Sequence, residues 1–142
     1  MKHLELGFAH GVATVTLNRP EVRNAFNDGV IAELREAFAR LGADTELRAI
    51  VLGGRGKAFC AGADLSQGGA TFDYAAKHPE AVDTHRDGGG QVSLRIYESR
   101  KPVIAAFNGA AVGVGVTMTL PMDIRIASTD ARFGFVFARR GI

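Results

Sequence analysis

The stretch Lys101–Asp123, KPVIAAFNGAAVGVGVTMTLPMD, constrains the fold more than any other part of the chain. A short apolar run, Val103–Phe107, stops at Asn108-Gly109, a turn pair. Gly113-Val114-Gly115 then reads as a helix start. The first turn of a helix leaves N–H groups without partners and carries partial positive charge. Glycines beside such groups let an oxygen approach the main chain closely. A second glycine turn, FCAGADL at Phe59–Leu65, offers another amide. Two converging amides suit a carbonyl oxygen that gains negative charge.

The remaining pattern is strand and helix in alternation. Leu4, Leu6 and Phe8 alternate with polar residues, and Ala13, Val15 and Leu17 do the same beyond Gly11, so a hairpin is expected. Asn27 or Asp28 caps a helix with Val30, Ile31, Leu34, Ala37, Phe38 and Leu41 on one face, closed by Gly42 and Asp44. Ala49–Leu52, Val103–Phe107 and Ile124–Ala127 read as buried strands. Such alternation predicts an α/β fold with parallel βαβ units. Gly68–Gly90 reads as a loop, with a short helix near Phe72–Lys77, and Val92–Tyr97 as part of a helix. No internal repeat is visible in the sequence.

At 142 residues the chain suits one domain, 1–142. A net charge of +2 with dispersed Lys and Arg gives no sign of a nucleic-acid partner. The N-terminus lacks a signal peptide's apolar region, and no apolar stretch is long enough for a membrane span, so a cytoplasmic location is expected. One cysteine, Cys60, excludes an internal disulfide and any multi-cysteine metal motif. His3, His10, His78 and His85 lack ligand spacing, and no metal site is expected. Cys60 is taken as a buried, inert thiol rather than a nucleophile. Asp64 is read as bonding its own turn, and Asp123 as making a structural hydrogen bond.

Four ordered stretches now matter together: VTLNRPEVRNAF at 15–26, AIVLGGRGKAFCAGADL at 49–65, KPVIAAFNGAAVGVG, and DIRIASTDARFGF at 123–135. In this order and spacing they resemble the N-terminal portion of the crotonase superfamily, the group that includes enoyl-CoA hydratases and isomerases. The resemblance refines the fold to a crotonase-like ββα spiral core, truncated before the C-terminal helical region. It implies an acyl-CoA thioester as substrate, with coenzyme A as part of that substrate and no separate cofactor. It also implies trimers or hexamers for full-length relatives.

Carried onto this chain, the resemblance makes the N–H groups of Ala63 and Val114 the oxyanion donors. Arg23 and the Asn24-Ala25 backbone match the CoA-contacting loop, Lys57 is a second cation near it, and Ala61 and Gly62 let the carrier pass close. The same glycines also serve tight turns and close packing, and both cations are ordinary surface residues in isolation. The two hydratase glutamates fall on Thr117 and Phe137. Neither side chain is an effective base at neutral pH. Two outcomes are therefore expected: enolate stabilisation with the acid–base group elsewhere, or an inactive CoA-binding fragment.

Overall fold

The structure, a computed structural model, describes residues 1–73 and 86–141. β1 (Leu4–Ala9) and β2 (Val12–Leu17) form the expected antiparallel hairpin, with Leu4 opposite Leu17. Its two-residue loop, His10-Gly11, has φ of 52° and 77°, the twist that suits paired strands. Ala13, Val15 and Leu17 are buried as the alternation predicts. On β1 the pattern fades outward, from buried Leu4 to exposed Phe8. β1 is the sheet's edge, and its base is tied to the first helix, where the Glu33 carboxylate accepts the N–H groups of Lys2, His3 and Leu4.

That helix, α1 (Asp28–Ala43), is capped by Asn27, whose Oδ1 accepts the Val30 N–H at 2.9 Å. Val30, Leu34, Ala37, Phe38 and Leu41 are buried, as their spacing requires. Ile31 differs: it is half-buried and lines a cavity.

From here the chain winds in repeated turns. Each turn lays one strand in a five-stranded sheet, one in a three-stranded sheet, and then a helical segment. The first turn is β3 (Ala49–Gly54), β4 (Ala58–Cys60), a 3-10 segment Gly68–Phe72 and α2 (Gly88–Tyr97). The second is β5 (Val103–Phe107), β6 (Ala110–Val112) and α3 (Val114–Thr117). The third is β7 (Ile124–Ala127), β8 (Phe133–Gly134) and α4 (Phe137–Arg140). The sheets run β1-β2-β3-β5-β7 and β4-β6-β8, parallel everywhere except the hairpin. This mixed α/β spiral is the expected fold class.

The repeat escapes the sequence because β4, β6 and β8 have only two or three residues and show no period. β3 runs two residues beyond the expected Ala49–Leu52, since Gly53 and Gly54 still pair with Thr16 and Leu17. α2 also begins earlier, at Gly88, because Asp87 caps it by accepting the Gly89 and Gly90 N–H groups. The glycines allow close packing there: a methyl on Gly89 would fall 2.7 Å from Val114 Cγ2. The short helix expected over 72–77 lies mostly outside the described residues, as do His78 and His85.

Aromatic rings join the two sheets. Phe107 of β5 lies 4.6 Å from Phe59 of β4 and 4.8 Å, edge-on, from Phe133 of β8, centroid to centroid. The far side is open: β7, expected as a buried strand, is exposed along its length, because it ends its sheet and no element among the described residues covers it. Leu120 and Phe135 are exposed as well. Asp123 accepts the Val103 N–H at 2.8 Å and pins the start of β7 to β5. Among the described residues no helix is long and apolar enough to cross a membrane.

Candidate functional site

The two glycine turns meet above the small sheet. β4 and β6 are parallel neighbours, so the chain leaves both at the same end. Gly62 follows β4 with φ of 95°, and Gly113 follows β6 with φ of 55°, a left-handed region that side chains disfavour. They also touch, since a methyl on Gly113 would sit 3.9 Å from Gly62 Cα. A methyl on Gly62 would crowd the Val112 carbonyl oxygen at 2.9 Å.

The next residue in each turn, Ala63 and Val114, lines one cavity of about 1200 Å³. Neither N–H donates to another group among the described residues. For Ala63 the cause is a one-residue parallel bridge to Phe26. Phe26 N–H donates to Gly62 O and Asp64 N–H to Phe26 O, both at 2.8 Å, which leaves the intervening N–H out of the ladder. For Val114 the cause is helix geometry. It is the first residue of α3, and the bonds to Gly113 O come from Val116 and Thr117.

Buried polar groups hold this floor in place. Asn24, 1% exposed, accepts the Arg19 N–H through Oδ1 and donates through Nδ2 to the carbonyls of Arg55 and Ala58. Its φ of 56° is one that asparagine tolerates better than most residues. The Arg19 guanidinium donates to Ala25 O at 2.6 Å and to Asp64 Oδ2 at 3.1 and 3.2 Å. Asp64 Oδ1 accepts the Ser66 N–H at 3.1 Å, so this carboxylate does bond its own turn. Ser66, and then Arg19, holds the Asp64 carboxyl below the usual range. A depressed carboxylate is a weak base. Beneath the floor, burial pushes the Cys60 thiol up to about 11, against a smaller opposing effect of the Gly62 N–H. It is neutral and inert near pH 7.

Side chains form the walls. Thr117 and Phe137, the positions matched to the hydratase glutamates, both line the cavity. The lining carboxylates among the described residues are Asp28, Asp64 and Asp87. Asp64 and Asp87 are engaged with Arg19 and with the start of α2. Arg35 and Arg86 supply positive charge.

The expected carrier-binding residues separate. Ala61 lines the cavity. Its N–H donates to Arg23 O at 3.0 Å, so the structure does join these two segments. The Arg23 side chain is exposed, while Asn24 and Ala25 are buried. Gly62 is buried behind Ala63. Lys57 is exposed and precedes β4, roughly 13 Å of strand from Ala61. Sequence reading missed the Arg19–Asp64 brace and the arginines at 35 and 86. The usable signal was the spacing of Asp28, Ile31, Ala32 and Arg35, a second face of α1 beside its core face.

A family model described as "Enoyl-CoA hydratase/isomerase" matches residues 7–142. The chain is 46% identical to the enoyl-CoA hydratase ACTT3 of Alternaria alternata, over 94% of this chain and 43% of that protein. It is 38% identical to the 1,2-epoxyphenylacetyl-CoA isomerase of Escherichia coli K12, over 93% of this chain and 50% of the relative. The chain thus spans about half the length of the curated relatives it matches. A Legionella pneumophila structure described as an enoyl-CoA hydratase/isomerase (crotonase) superposes with a TM-score of 0.86 at 35% identity, covering 99% of this chain and 53% of that one.

Proposed function

The chain belongs to the enoyl-CoA hydratase/isomerase family, and we propose that it forms the oxyanion half of an acyl-CoA site. The thioester carbonyl oxygen rests between the N–H groups of Ala63 and Val114. As a proton leaves the adjacent carbon, or a nucleophile adds to the conjugated double bond, charge collects on that oxygen. Fixed donors bind the charged form better than the neutral one, which lowers the barrier. The observation that carries this reading is that both amides are unspent and line one cavity. Ala61 and Arg23, joined through the main chain, face the carrier. Coenzyme A enters as part of the substrate. Assembly of the whole protein as a trimer or hexamer belongs to the same proposal.

Proton transfer is the open step. Asp28, in the first turn of α1, is the one lining carboxylate among the described residues without a partner. Asp64 is engaged in its ion pair and Asp87 in capping α2, and Thr117 and Phe137 are neutral. That observation favours a second reading, in which the site binds acyl-CoA without turnover. One substitution separates the two. Val114 occupies the first position of α3, where proline fits the helix but has no N–H. In the full-length protein, Val114→Pro is expected to lower turnover of an enoyl-CoA by roughly 100- to 1000-fold. Retained turnover removes this amide from the mechanism. A wild type that binds acyl-CoA without converting enoyl-CoA selects the second reading.

A further inference from the structure

Five charged side chains among the described residues line the cavity: Asp28, Arg35, Asp64, Arg86 and Asp87. Asp64 is held by Arg19 and Ser66, and Asp87 by the N–H groups of Gly89 and Gly90. Asp28 lies in the first turn of α1, seven residues and roughly 10 Å along the axis from Arg35. Among the described residues neither guanidinium has a partner, and nor does the Asp28 carboxylate, so the unspent charge of this wall is two cations against one anion.

The two arginines come from elements in contact. A methyl on Gly88 would fall 2.6 Å from Ile31 Cδ1. Arg86 precedes Gly88 by two residues, and Arg35 follows Ile31 by one helical turn. Both therefore stand where α1 meets the start of α2. The same start touches Val114 through Gly89, so this wall rises beside the proposed donor. The Arg23–Ala25 loop lies before the Asn27 cap, and Arg35 stands eight residues beyond that cap, roughly 12 Å along the axis. The cationic wall is thus set apart from the loop matched to the carrier.

We infer that Arg35 and Arg86 seat a carboxylate at the far end of the acyl group, so that the preferred substrate is the CoA monothioester of a short dicarboxylic acid. This inference rests on the acyl-CoA reading above. A planar guanidinium matches a carboxylate through two parallel hydrogen bonds, and a second one supplies the remaining charge. Both arginines are exposed, so with a neutral acyl chain they stay hydrated and add nothing to its binding.

The test uses calorimetry on the full-length protein with three probes: free CoA, a five-carbon neutral acyl-CoA, and the CoA monothioester of a five-carbon dicarboxylic acid. The dicarboxylic thioester is expected to bind about tenfold more tightly than the neutral one. Arg35→Gln and Arg86→Gln should each remove most of that preference and leave the neutral thioester unchanged. Arg→Lys at either position should retain part of it. Equal affinity for the two thioesters overturns the inference and leaves the acyl-CoA reading standing, as does a preference that survives both substitutions. If the glutamine variants weaken free CoA as much, the arginines hold the carrier's phosphates, and the inference fails. If neither thioester binds more tightly than free CoA, the acyl-CoA reading itself falls.

Discussion

The floor and the wall of the cavity are built from different material. The floor presents main-chain N–H groups, at Ala63 and Val114, fixed by buried bonds from Asn24 and by the Arg19–Asp64 brace. The wall presents side chains: Arg35, Thr117 and Phe137 on helices or short helical segments, and Arg86 just before one. Substitutions at the floor act by moving backbone, and few residues are allowed there. Substitutions on the wall change charge or shape and leave the fold intact. On the proposed acyl-CoA reading, the floor therefore suits the step common to many substrates, and the wall the choice among them.

Several variants sharpen or break that contrast. The largest effect after Val114→Pro is expected from Gly62→Ala. The added methyl meets the Val112 carbonyl at 2.9 Å in a backbone conformation that alanine disfavours. Displacing the Ala63 amide by a fraction of an ångström should cost turnover on the order of a hundredfold. If steady-state kinetics show wild-type rates, the floor is softer than its contacts suggest.

Asn24→Ala should follow. It orphans the Arg19 N–H and removes a donor from two carbonyls, at an expected cost of roughly 2 to 3 kcal/mol in urea unfolding. Asn24→Gly would show the same loss without the cost of a positive φ.

A smaller effect concerns acid. The Asp64 carboxyl titrates lower in the fold than in the unfolded chain, because Ser66 and Arg19 favour its charged form. Its stabilisation is present above the unfolded value, about 3.9, and is lost as pH falls through the lower folded value. Asp64→Asn should therefore lower the urea midpoint at pH 7 and flatten its decline below about pH 4. An unchanged acid limb would show that the brace contributes nothing to this dependence.

The smallest effect belongs to the wall. Thr117→Val keeps shape and removes a hydroxyl, so turnover should change by no more than about fivefold, the worth of one neutral hydrogen bond. A larger drop would make Thr117 part of the chemistry and erase the contrast.

Much of this was legible because it is local. β5 and β7 lie on the residues expected, and the spacing of α1 places its buried face correctly apart from Ile31. The glycines of GAD and GVG flag turns, since few other residues tolerate those angles. The brace was not legible, because Arg19 and Asp64 are 45 residues apart and meet only when β2, β4 and α1 are assembled. Arg35 was passed over because its face of α1 points away from the core, toward a wall that includes Arg86. The small sheet was missed for want of length. Strands of two or three residues carry too few positions for alternation to register.

The unspent donors at 63 and 114 belong to peptide bonds, and this has a consequence for inheritance. Only a codon change to proline deletes the hydrogen itself; any other change at either position reaches it through packing alone. Lineages that keep the two turns intact can therefore vary the side chains around them while the proposed charge-accepting spot is retained.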